Sequence, residues 1–143
     1  MTAADQTLAR LPLPRWRLRA PAYAAACLAA PMARCSPAVI LRILRVLGRG
    51  SRAADYASVR AYRAAVVAVS ASCRGQQGCL RRSLAVMLLA RLHGQRPIWC
   101  VGVRTSPFAA HAWVEVDGRP VGEEGTDGGA STYRTLLSSR SAG

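Results

Sequence analysis

A chain of 143 residues is long enough to bury one core and too short for two domains of ordinary size, so a single domain is expected. Its 20 cationic side chains against 7 Asp and Glu give a formal charge of +13, and because the sequence holds no lysine every one of them is arginine. That balance suits an anionic partner, but with one Phe, four Tyr, three Trp and no binding signature it does not define a nucleic-acid surface, and an arginine- and alanine-rich composition is also what a GC-rich coding sequence yields.

Residues 1–20 read as an arm punctuated by Pro and Arg, including LPLPRWRLR, a stretch equally suited to solvation or to docking. No apolar run follows its charges, and the later AYAAACLAAPMA is bounded by proline and too short to cross a bilayer, so neither a signal peptide nor a transmembrane segment is expected. The cysteines at 27, 35, 73, 79 and 100 form an odd set with no CxxC pair and no zinc spacing. A reduced, cytoplasmic protein without metal or cofactor follows as the expectation.

An alanine-rich helix is expected over about 22–30, with a break from Pro31 to Pro37. PAVILRILRVLGRG then opens on Pro37, carries apolar residues at 39, 40, 43, 44, 46 and 47, and stops at Gly48. Its Arg42, Arg45 and Arg49 form either a solvated basic edge or a contact for a partner protein or membrane. Residues 54–73 read as a third helix, with Tyr56, Val59, Tyr62, Val66 and Val69 at spacings of three and four. From Cys79 a fourth follows, with one apolar stripe of Leu80, Leu84, Met87, Leu88 and Leu92 and a stop at His93-Gly94.

The period then changes. PIWCVGVR (97–104) is rich in β-branched and aromatic residues, TSPFAA connects, and HAWVEVDGRPVGEE reads as two strands around an Asp117-Gly118 hairpin turn. Residues 127–143, small and polar, are expected to form a flexible tail in which Tyr133, Leu136 and Leu137 are the candidates for docking. The domain proper would then span 21–126, an α+β fold with N-terminal helices, a helix headed by Cys79 and a small antiparallel sheet.

The stretch GQQGCLRRSL puts a thiol at a helix start, among unpaired backbone N–H groups and the positive end of the helix dipole. That setting favours thiolate. With His111 opening the second strand and Glu123 and Glu124 on the third, the chain offers a nucleophile, a base and a carboxylate to orient the base. Taken singly, Cys79 reads equally as a small buried hydrophobe, and His111 as a strand residue satisfied by backbone.

The joint pattern is more specific. GCLRRSLAVMLLARLHG followed by VGVRTSPFAAHAWVEVDGRPVGEE, residues 78–124, resembles the leader peptidases of lasso-peptide biosynthesis in the transglutaminase-like, papain-related superfamily. The matching positions are Gly78-Cys79-Leu80, Arg82-Ser83 and Pro107 to Glu115. The resemblance implies Cys79 as nucleophile and His111 as base. For the third member the family usually carries Asp where Glu123 stands. A plain two-residue turn at Asp117-Gly118 would set Glu124 opposite His111, whereas a one-residue bulge or wider loop would restore Glu123. Glu123 is preferred and Glu124 retained.

Gln76 or Gln77 is a candidate oxyanion donor beside the Cys79 N–H, or else a solvated loop residue. Trp113 either flanks the imidazole or is a core tryptophan. Glu115 is expected to face outward or toward a partner, Asp117 to serve the turn, and Cys73, Cys100 and His93 to be structural. The resemblance further implies removal of the leader from a ribosomally made lasso-peptide precursor, a small leader-recognition protein as partner, and an ATP-dependent cyclase acting afterwards. Two rivals stay open: a transglutaminase or acyltransferase using the same triad, and a non-catalytic basic adaptor.

Overall fold

The computed structural model describes residues 15–75, 77–123 and 132–140. Its elements in chain order are α1 (Arg15–Met32), α2 (Pro37–Leu47), β1 (Arg52–Ala53), α3 (Tyr56–Val69), a 3-10 turn (Ala71–Cys73), α4 (Cys79–Leu92), β2 (Gln95–Arg96), β3 (Ile98–Thr105), β4 (Phe108–Val116), β5 (Arg119–Pro120) and β6 (Arg134–Ser138). This is the mixed helix-and-sheet architecture expected from the sequence.

The first helix is longer than the sequence suggests. It begins at Arg15 and runs through Pro21 and Pro31 to Met32, so residues 15–20 belong to a helix and the break falls after Pro31. Proline inside a helix forfeits a backbone hydrogen bond. Here Leu18, Ala22, Ala25, Ala26, Ala29 and Met32 are all buried, and packing of that face overrides the local signal. The second helix follows its caps: the Ser36 hydroxyl accepts from the Val39 N–H at 3.4 Å, Pro37 opens the helix and Gly48 closes it. On α3, Asp55 accepts from the Ser58 N–H at 3.0 Å and from its hydroxyl at 2.7 Å, which lowers its pKa.

Helix α4 is the centre of the molecule. Arg82, Ser83, Leu84, Ala85, Val86, Met87, Leu89 and Ala90 are all buried, because α1 and α3 cover one side and β4 the other. The expected single apolar stripe is therefore wrong in detail: Leu92 is exposed, and Ala85, Val86 and Leu89 lie off that stripe yet are buried. A helix packed on both sides has no solvent face from which a period can be read.

The sheet order is β5-β4-β3-β6, all neighbours antiparallel, beside a separate parallel pair β1-β2. The hairpin from β3 to β4 is tighter than expected, since Phe108 already pairs with Thr105. One sheet face, with Trp99, Val114 and Val116, joins the helical core, and the other carries a smaller cluster around Cys100 and Trp113 with Ile98 and Tyr133. Residues 134–138 form β6 on β3, so this part of the expected flexible tail is an ordered strand. The strand predicted to carry the glutamates ends at Pro120, and Glu123 lies beyond it.

Candidate active site

Cys79 is the first residue of α4, behind Gly78. A Cβ on Gly78 would lie 2.6 Å from the Arg74 carbonyl oxygen and 2.7 Å from that of Ser72, so glycine is what lets the incoming loop fold back under the helix start. The buried Arg82 guanidinium fastens the same loop, donating to the carbonyls of Cys73 at 3.0 Å and Gly75 at 2.9 Å. One turn deeper, Ser83 Oγ donates to the Leu80 carbonyl at 2.9 Å and accepts from Trp99 Nε1 at 3.0 Å, joining α4 to β3. The Arg82-Ser83 pair thus positions the cysteine without touching a reacting atom.

Strand β4 delivers the imidazole. Its backbone groups alternate between the β3 side and the β5 side, and the Val121 N–H bonds the Val114 carbonyl at 2.8 Å, so even-numbered residues point their backbone groups toward the β5 side. Two residues before Val114, the Ala112 N–H meets the Cys79 sulfur, while the His111 side chain hydrogen-bonds the same thiol. His111 Nε2 lies 2.9 Å from Glu123 Oε2, and both side chains are largely buried. With Nε2 turned to the carboxylate, Nδ1 is the ring nitrogen left for the thiol.

The hairpin explains how Glu123 arrives. Asp117 at φ 53 and Gly118 at φ 75 form the plain two-residue turn, with Val116 opposite Arg119 and Glu115 opposite Pro120. There is no bulge or widened loop. Instead the ladder stops and Gly122 adopts φ +72, where a Cβ would collide with the Arg63 side chain at 2.4 Å. That left-handed residue redirects the chain so that Glu123, and not a register partner, reaches the imidazole. Glu124 lies outside the described residues.

The electrostatics follow from this contact chain. For Cys79 burial is the largest influence and pushes the thiol up. The His111 hydrogen bond, the Ala112 N–H and the charges of His111 and Arg82 outweigh it, leaving the pKa below its usual value. His111 is raised to about 9 by its hydrogen bond to Cys79 and then by that to Glu123, against the opposing effect of burial. Both shifts favour thiolate beside imidazolium over the neutral pair. Such an arrangement can attack a carbonyl and then protonate a departing amine.

Trp113 stacks on the imidazole with centroids 5.8 Å apart, and its indole N–H donates to Glu115 Oε1 at 3.0 Å. Glu115 therefore orients the tryptophan, which differs from the outward-facing role expected of it. Tyr133 tilts over the same imidazole at 5.2 Å, a contact the sequence reading left among docking candidates of the tail. Its only local sign was one aromatic residue before the apolar pair in YRTLL. Gln77 is exposed, and Gln76 lies outside the described residues. Cys100 is buried, with its thiol pushed up to about 12 by burial and by Glu115. His93 Nδ1 lies 2.9 Å from the Leu89 carbonyl and its ring stacks on Tyr62 at 4.9 Å, which makes it structural. Among the described residues no group of three or more His, Cys, Asp or Glu is placed to hold a metal ion.

The sequence model of the Transglutaminase-like superfamily matches residues 17–138. The chain belongs to that superfamily, which includes cysteine peptidases and acyltransferases. No curated protein and no solved structure matches the chain. No helix among the described residues is long and apolar enough to cross a membrane.

Proposed function

We propose that the protein is a cysteine peptidase that removes the leader segment from a ribosomally made lasso-peptide precursor. The observation that supports catalysis is the imidazole of His111 bonded to the Cys79 thiol on one side and to the Glu123 carboxylate at 2.9 Å on the other. The Cys79 thiolate adds to the scissile carbonyl and forms a thioester as the peptide C–N bond breaks. His111 gives its proton to the departing amine. Water, deprotonated by His111, then releases the leader acid and regenerates the thiol. The Cys79 N–H, at the first turn of α4 where backbone donors lack helical partners, is the donor assigned to the oxyanion.

The choice of substrate rests on the Gly78-Cys79-Leu80, Arg82-Ser83 and Pro107 to Glu115 pattern. On this reading the enzyme works in the cytoplasm without a cofactor, beside a small leader-recognition protein, and its product passes to an ATP-dependent cyclase. The exposed Arg42 and Arg45 of α2, with Arg49 just after it, are the surface assigned to the recognition protein or to the leader itself. The test is mass measurement after incubating precursor, recognition protein and this chain with an added primary amine. Two fragments differing from the precursor by one water support the peptidase. Amine incorporated into an acyl fragment or a Gln side chain makes it an acyltransferase, and an unchanged precursor contradicts both.

A further inference from the structure

At the far end of α4 from Cys79 lies a concavity of about 640 Å³. Five guanidiniums line it: Arg45 and Arg49 from α2 and the turn after it, Arg91 from the last turn of α4, Arg96 from β2 and Arg140 after β6. An arginine-rich composition spreads cations over a surface, whereas here separate elements converge them on one hollow. Its carboxylates are Glu115, engaged by the Trp113 indole, and Asp117 in the hairpin turn, which leave positive charge in surplus. Among the described residues none of the five arginines forms an ion pair.

Arg91 shows what this costs. Its guanidinium donates to the Gln95 carbonyl at 3.1 Å and to the Leu44 carbonyl at 3.3 Å, while its Nε is buried with no partner among the described residues. Burial, and then the neighbouring Arg96, hold its pKa down to about 10. A half-buried cation beside like charges is unfavourable alone and gains from an anion brought in from outside.

We propose that this hollow binds an extended, acidic segment of a peptide, some 20 Å from the thiol along a helix of 14 residues. Between the cations the lining is apolar, from Leu44, Pro97, Ile98 and Val116, which suits a chain alternating carboxylates with aliphatic side chains. A lone phosphate would leave most of this volume empty. Single-stranded nucleic acid is bound on aromatic platforms, and no aromatic side chain lines the hollow among the described residues. Binding here is independent of the peptidase reading.

The test uses the full chain carrying Cys79→Ala, so that turnover plays no part, and fluorescence anisotropy at physiological salt. The probe is a labelled ten-residue peptide of alternating Glu and Val, with the Gln and Val version as its neutral counterpart. The variants are Arg45→Glu with Arg49→Glu, and Arg96→Glu with Arg140→Glu, all four side chains being exposed; Arg17→Glu with Arg19→Glu on α1 is the charge-matched control. Each groove pair is expected to weaken binding at least tenfold, the control pair less than twofold, and the neutral peptide is expected not to bind. Equal losses in groove and control pairs, or binding of the neutral peptide, would overturn the proposal. So would tripolyphosphate or a single-stranded oligonucleotide outcompeting the peptide through the same four arginines.

Discussion

At the N-terminal end of α4 a thiol, an imidazole and a carboxylate lie in hydrogen-bonding sequence and shift one another's charge state, whereas at its C-terminal end five arginines surround a hollow with two carboxylates among the described residues. Both ends bury titratable groups on the same helix. The first supplies its own counter-charges from β4 and from the turn at Gly122, so it is self-contained. The second lacks counter-charge within the described chain, so it is suited to a ligand. Partly buried charge in a small domain thus carries opposite meanings according to whether the fold completes it.

The largest expected effect breaks the completed end. Cys79→Ala removes the nucleophile and should lower precursor cleavage by about 10⁴-fold or more, with an unchanged circular dichroism spectrum. Residual cleavage within tenfold of the parent would exclude Cys79 from the reaction.

Glu123→Gln keeps the shape of the third member but not its charge, and should cost on the order of 10³-fold in kcat/KM. The pH profile carries the sharper signal. Because His111 is raised to about 9, its proton is bound more tightly in the folded protein, so the stability it contributes is complete below about 6.5 and lost as pH climbs through about 9. The alkaline limb of kcat/KM should fall near 9 in the parent. In Glu123→Gln it should move to lower pH, and an unmoved limb would show that Glu123 does not act on the imidazole.

A smaller effect tests the positioning layer. Ser83→Ala leaves the indole N–H of Trp99, a side chain only 1% exposed, without its acceptor, and should lower stability by about 1–3 kcal/mol in urea titration. The smallest effect concerns the other end. Arg45→Glu with Arg49→Glu should change the alkylation rate of Cys79 by less than twofold, since the helix length of roughly 20 Å exceeds the ~8 Å screening length at physiological salt.

The grouping of the candidate site was more legible in the sequence than the packing. Cys79 and His111, picked out by the resemblance with the helix and strand signals, and Glu123, picked out by the resemblance against the plain hairpin register, are the side chains the fold brings together. The route to Glu123 was not legible, because register rules describe a continuing ladder and the chain leaves it at Gly122. Helix α1 begins early because a long-range packing face outweighs Pro21, and that face cannot be seen from local propensity. Strand β6 was missed because RTLLS is short and follows a Gly- and Ser-rich stretch, its order coming from the edge of β3. Tyr133 over His111 is a consequence of that pairing. The arginine hollow had no signature, since its members are scattered along the chain and meet only in space.

The most direct measurement is the iodoacetamide reaction rate of Cys79 against pH, read from the tryptic peptide spanning 75–81, in which it is the sole cysteine. If His111 and the Ala112 N–H favour the thiolate, the Cys79 profile should reach half its plateau at a lower pH than free N-acetylcysteine measured alongside. His111→Ala should abolish that lead. A Cys79 profile that follows N-acetylcysteine, or that His111→Ala leaves unchanged, would contradict the ion pair on which the proposed reaction stands.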